Sequence, residues 1–174
     1  MNSPRIWASM THLGQRVPLA WVRFLAAHDE VTGPMDQNLR ASHGLTINDY
    51  EVLLRLCWAP DGRLTRSELA QSVHLTQGGI TRLLAGLGQA GMVRSVRSPA
   101  DRRVIYAEVT EAGREQFRLA VQTHVEDVQS MFTDRFSTAE LETLAELLGR
   151  LTDTEAEPED PPDPAGFPPG PTSG

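Results

Sequence analysis

Apolar side chains recur along most of this chain at the three- and four-residue spacing that places them on one face of a helix. Trp21, Val22, Phe24 and Leu25, followed by His28, keep that spacing, and Met35 and Leu39 continue it to about Ser42. Gly33-Pro34 falls inside the run and predicts a kink or break, because proline has no backbone N–H to donate. Thr46-Ile-Asn-Asp49 resembles a capping box and starts a helix with Tyr50, Leu53, Leu54 and Cys57, closed by the turn Pro60-Asp61-Gly62. Thr65-Arg-Ser-Glu68 is a capping box that opens a short helix with Leu69, Ala70 and Val73. Thr76 caps the next helix, with Ile80, Leu83, Leu84 and Leu87 inward and Gly91 as its stop.

The period then changes from helical to alternating. Met92 to Val96 and Arg103 to Val109 are rich in Val, Ile and Tyr and predict two strands, joined by the polar loop Arg97-Ser-Pro-Ala-Asp-Arg102. From Thr110 a long helix carries Phe117, Val121, Val125, Val128 and Phe132 on one stripe. Ser137-Thr-Ala-Glu140 caps a last helix with Leu141, Leu144, Leu147, Leu148 and Leu151. The expected fold is mostly α with a small β-hairpin wing. A winged helix-turn-helix spans about 46–110, and helices 12–42 and 110–152 flank it.

Charge first argues against a nucleic-acid partner, since the 174 residues carry a net charge of −7. Its distribution reverses that. Between Arg63 and Arg103 seven arginines (63, 66, 82, 94, 97, 102, 103) face two acids, Glu68 and Asp101, a local +5. From Asp153 onward there are six acids and no base, together with seven of the twelve prolines. Residues 153–174 are expected to be a disordered acidic, proline-rich tail, and 1–11 a flexible arm. One cysteine, Cys57, excludes a disulfide framework and a cysteine zinc site. No apolar run approaches the roughly 18 residues of a membrane helix, and Met1 to Met10 lack the apolar core of a secretory signal. The expected location is the cytoplasm.

A helix presented beside a basic hairpin has the parts needed to read duplex DNA. The helix fits the major groove, and an arginine-bearing loop can reach the adjacent minor groove. With Ile80 at zero degrees and 100 degrees per residue, the apolar residues of helix 76–90 cluster on one side. Gly78, Arg82, Ala85 and Gln89 fall opposite, with Thr81 and Gln77 on the flank. That outer face has no acid and no large apolar group, and Gly78 and Gly79 let a backbone come close. The candidate DNA-binding residues are Thr65, Ser67, Thr76, Gln77, Gly78, Thr81, Arg82, Arg94, Arg97, Arg102 and Arg103. Thr65 and Thr76 double as helix caps. Asp101 is expected to brace the wing by orienting the Arg103 guanidinium.

The ordered set of motifs resembles the MarR family of bacterial transcription regulators. The matching stretches are Gly44-Leu-Thr-Ile-Asn-Asp-Tyr-Glu-Val-Leu-Leu54, Leu64-Thr-Arg-Ser-Glu-Leu-Ala70, Gly79-Ile-Thr-Arg-Leu-Leu84, Gly91-Met-Val-Arg94, Asp101-Arg-Arg103 and Val109-Thr-Glu-Ala-Gly113. The resemblance implies a homodimer that binds an inverted-repeat operator and often responds to a small ligand or oxidant. It maps the recognition helix to Thr76–Ala90 and the minor-groove arginine to Asp101-Arg102-Arg103. Two features depart from the family: Gly33-Pro34 interrupts a helix usually continuous there, and Gly78, Gly79, Gly86 and Gly88 make the recognition helix glycine-rich. A two-fold dimer would set its two reading helices roughly 34 Å apart, on successive major grooves.

Other residues weigh less on the assignment. Cys57 reads as a buried structural thiol, and the reactive cysteine that oxidant-sensing family members keep near the N-terminus has no counterpart here. Trp21 and His28, seven apart on one helix face, either line an effector pocket or pack in the core. His12, His43, His74 and His124 lack metal-ligand spacing, so no metal or cofactor is assigned. The alternative to DNA reading is a winged helix used only for dimerisation or protein docking. An enzyme finds no support, for no nucleophile–base pattern and no phosphate-cradling loop is present.

Overall fold

A computed structural model of the protein describes residues 16–73 and 75–151, with side chains from residue 19 on. The expected arm 1–11, the tail 153–174, His12 and His74 lie outside the described residues. The element order is α1 Arg16–His43, α2 Ile47–Trp58, β1 Arg63–Thr65, α3 Arg66–Ser72, α4 Gln77–Gln89, β2 Val93–Arg97, β3 Ile105–Val109, α5 Glu111–Val128 and α6 Thr138–Gly149. A π-helical turn, Gln129–Thr133, continues α5. The fold is mostly helical with one three-stranded antiparallel sheet in the order β1-β3-β2.

The starts follow from side chains that satisfy otherwise orphaned N–H groups. Thr46, Thr65 and Ser137 form reciprocal capping boxes with Asp49, Glu68 and Glu140. The hydroxyls of Thr76 and Thr110 accept from the amides of Gly79 and Gly113, each at 3.1 Å. The core lies where α2, α3, α4, α5 and the sheet converge, around the fully buried Leu53, Leu56, Leu69, Ile80 and Phe117. Each such side chain contributes about 1.5–3 kcal/mol by leaving water.

Two expectations are corrected. First, of the kink or break expected at Gly33-Pro34, the break is absent: α1 runs from Arg16 to His43 with Pro34 inside it. Gly33 and Pro34 are exposed, so the Glu30 carbonyl that loses its partner can bond water instead. The segment beyond Pro34 is held from outside: Met35 and Leu39 are buried, Asn38 donates to Asp127 at 2.7 Å, and His43 pairs with Thr123 at 2.8 Å. Second, the sheet has a third strand, β1, which pairs Arg63–Thr65 with Tyr106–Glu108. Three residues are too few to show a period of two, and Thr65 reads more strongly as a cap.

Outside the core, large apolar side chains remain in water. On α1 Trp21 is 52% exposed and Phe24 42%; at the C-terminal end Leu147 is 50% and Leu151 73% exposed. On the α5 stripe Phe117 and Val121 are buried, whereas Val125 and Val128 are exposed.

Candidate nucleic-acid interface

Helix α4 is positioned by its inner face. Ile80 and Leu87 are buried and Leu83 and Leu84 are partly buried, which turns Gln77, Gly78, Thr81, Arg82, Ala85 and Gln89 to solvent. Gly91 ends the helix with φ of 73°, a left-handed value that favours glycine. The Met92 amide then bonds back to Leu87, and the Thr110 hydroxyl donates to the Gly91 carbonyl at 2.7 Å. Gly113 makes this junction possible, since a Cβ there would run into the Met92 carbonyl oxygen. Helix α4, the wing and the start of α5 therefore share one rigid joint.

The wing tip is built by backbone hydrogen bonds. The Ser98 amide donates to the Val104 carbonyl, and the Val104 amide to that of Asp101, both at 3.0 Å. The buried Ser98 hydroxyl accepts from the amides of Ala100 and Asp101 at 3.3 Å. The Asp101 carboxylate accepts from the backbone N–H of Arg103 at 2.9 Å, not from its guanidinium as expected. An acid two residues back can close a local turn with the amide, and that short loop leaves the Arg103 side chain pointing outward.

Arg66, Arg82, Arg97, Arg102 and Arg103 are all exposed and have no acidic ion-pair partner among the described residues. Arg94 is different. Its guanidinium donates to Glu108, with Nε at 2.9 Å, across the β2–β3 pairing that sets the two residues opposite each other. Glu68, the single acid between Asp61 and Asp101, spends its charge on the α3 cap. The bonds from the Thr65 backbone and side chain hold its carboxyl below the ordinary carboxylate value.

A groove of about 530 Å³ runs between α4 and the sheet, lined by Arg66, Thr81, Leu84, Arg94, Ile105 and Tyr106 among others. It brings Thr81 and Arg94 together. It also includes Arg66, which was not among the expected DNA-binding residues. The sequence does carry a signal: an arginine in the first turn of a helix whose one nearby acid, Glu68, is the capping-box partner of Thr65. Thr81 donates its hydroxyl back to the Gln77 carbonyl at 2.8 Å and keeps its oxygen lone pairs for a donor outside. Ser67 and Thr76 are exposed, and Thr65 is half-buried in its cap.

Trp21 and His28 do not approach this face. Both are exposed on α1, Trp21 stacked on Phe24 and His28 beside Asp29 at 3.2 Å, so neither packs in the core of one chain. Cys57 is buried, and burial pushes its thiol up to about 11, which suits a structural role.

Against known proteins, residues 43–104 match the MarR family model. The HTH-type transcriptional repressor YetL of Bacillus subtilis (strain 168) is 30% identical over 111 residues, 64% of this chain and 66% of the repressor. The chain belongs to the MarR family. Two MarR-family transcriptional regulators from Streptomyces coelicolor share the fold. AbsC superposes with a TM-score of 0.73 at 28% identity over 79% of this chain and 92% of its own. Sco3205, solved in complex with DNA, gives 0.76 at 26% identity over 85% and 96%. The winged helix of this MarR-family chain keeps α4 and the β2–β3 hairpin in the order the motifs predicted.

Proposed function

We propose that this MarR-family chain is a cytoplasmic, homodimeric, ligand-responsive repressor that binds an inverted-repeat DNA operator. Residues 46–110 would form the reading module, and 12–42 with 110–152 the dimer-forming part. The observation that carries this reading is the α4–wing face: Arg82 on α4 and Arg66, Arg97, Arg102 and Arg103 beside it are exposed and have no acidic ion-pair partner among the described residues, and the outer side of the helix is otherwise small and polar. Similarity to Sco3205, a relative solved with DNA, supports it.

Arg82, projecting from the middle of α4, would donate two parallel hydrogen bonds to a base edge in the major groove, guanine being the natural acceptor. Gln77 and Thr81 would add polar contacts, and the exposed first-turn amides of α4 would take a phosphate. Arg97, Arg102 and Arg103 would enter or border the minor groove, while Arg94, tied to Glu108, would act more as a fixed edge of the groove than as a direct contact. Repression would follow from occlusion of the promoter. A ligand would act by changing the relative angle of the two reading heads.

The test is a mobility shift with DNA from upstream of the protein's own gene. Arg82→Ala should cost about 1–3 kcal/mol in affinity and relax sequence preference at one position per half-site. Arg102→Ala and Arg103→Ala should weaken all duplexes alike and each lower the salt slope by about one. Unchanged binding by the triple variant overturns the surface assignment.

A further inference from the structure

The acid excess of this chain is concentrated at one end. Through Thr152 the sixteen arginines nearly balance seventeen acids, a charge of −1; the last 22 residues add six acids and no base, giving −7 in all. The opposite charge is concentrated too, in Arg66, Arg82, Arg97, Arg102 and Arg103, which have no acidic partner among the described residues. We propose that segment 153–174 is a resident competitor for the α4–wing face: its carboxylates occupy those arginines until duplex DNA displaces them. The proposal rests on the reading of that face as the DNA-binding surface.

Charge and spacing support it. Twenty-three residues follow Leu151, a span of up to about 75 Å when extended. All six acids lie within the first twelve of them, about 40 Å of chain when extended, and Glu157, Glu159, Asp160 and Asp163 stand furthest from Leu151. Asp153, Glu155, Glu157 and Glu159 occupy alternate positions. Laid out extended, they would present carboxylates about 6.6 Å apart on one edge. That is roughly half the charge density of one DNA strand, which carries a phosphate per about 3.4 Å of axis. Exposed carboxylate–arginine pairs are individually weak and screened by salt. Tethering offsets this, since a linked segment acts at an effective concentration near millimolar. The tail is therefore strong enough to cover the arginines at low salt and too weak to withstand duplex. It lowers affinity for operator and for arbitrary DNA by the same factor, because either must evict it.

The experiment neutralises the tail in the full chain by replacing Asp153, Asp160 and Asp163 with Asn and Glu155, Glu157 and Glu159 with Gln. Binding to a labelled duplex of arbitrary sequence is read by anisotropy at about 50 mM and about 300 mM salt. The neutralised chain should bind about tenfold tighter at low salt and within about twofold at high salt. Equal binding at low salt overturns the proposal. In an Arg102→Ala, Arg103→Ala background the gain should shrink; a gain that persists in full means general repulsion without seating and also overturns it. A labelled peptide of residues 153–174 is titrated into the neutralised chain without DNA. At about millimolar peptide, the tether's own effective concentration, it should bind at low salt and dissociate at high salt, and no binding there refutes the seating. This arm separates the two readings: if the peptide binds but neither chain binds any duplex, it is the DNA assignment that falls.

Discussion

At the residue scale, the half-buried His124 holds a buried polar atom with a consequence for stability. Its ring lies 4.5 Å from that of Tyr50 between centroids, and its Nδ1 is buried without a hydrogen-bond partner. Burial lowers its pKa from the ordinary 6.5, and the nearby Asp127 only partly opposes this. A base whose folded pKa is depressed binds its proton more readily when unfolded, so the contribution of the neutral imidazole is complete above about 6.5 and is lost as pH falls through that value. The carboxyls of Asp36, Glu68 and Glu140 are held low and act further down, below about 4.5. The melting temperature should therefore drop between pH 7 and pH 5, and His124→Phe, which keeps an aromatic ring against Tyr50, should flatten that drop. Thermal unfolding of both proteins at the two pH values is the check; parallel drops count against His124 as the cause.

At the element scale, α4 and its joint to the wing behave oppositely toward the same substitution. Gly86 is exposed within α4, and a Cβ there would meet nothing within 4 Å. Gly86→Ala should stabilise the fold by about 1 kcal/mol, through helix propensity alone, and raise the melting temperature by about 3 °C. At Gly113 the obstacle is the Met92 backbone carbonyl, which is already bonded to the Thr110 amide. Gly113→Ala should cost about 2–4 kcal/mol. Denaturant midpoints measure both, and a neutral Gly113→Ala would show that the joint between α4 and α5 yields easily. The glycine-rich composition of α4 was plain in the sequence. Which glycine is obligatory was not, because that depends on a carbonyl twenty-one residues away.

At the scale of the whole molecule, the apolar faces of α1 and α6 remain uncovered in one chain. Leu19, Trp21, Phe24 and Leu25 on α1, and Leu147, Leu148 and Leu151 at the C-terminal end, are exposed large apolar side chains of the kind that mark an interaction surface when they are contiguous. A second copy would bury both faces and leave the α4–wing faces open, as two-fold DNA reading requires. Sedimentation should give twice the chain's mass. Phe24→Asp should shift the protein toward monomer and reduce operator affinity at least tenfold, because each half-site would then bind alone. A Phe24→Asp protein that stays dimeric would place the interface elsewhere.

The helix starts, the winged-helix order and the acid-free outer face of α4 were all determined by the sequence, because capping, periodicity and charge act between neighbours in the chain. Tertiary structure decided four things: the continuity of α1 through Pro34, the pairing of β1, the capture of Arg94 by Glu108, and the entry of Arg66 into the groove. Each depends on groups brought together from distant positions, so burial and cross-strand register, rather than local preference, set the outcome.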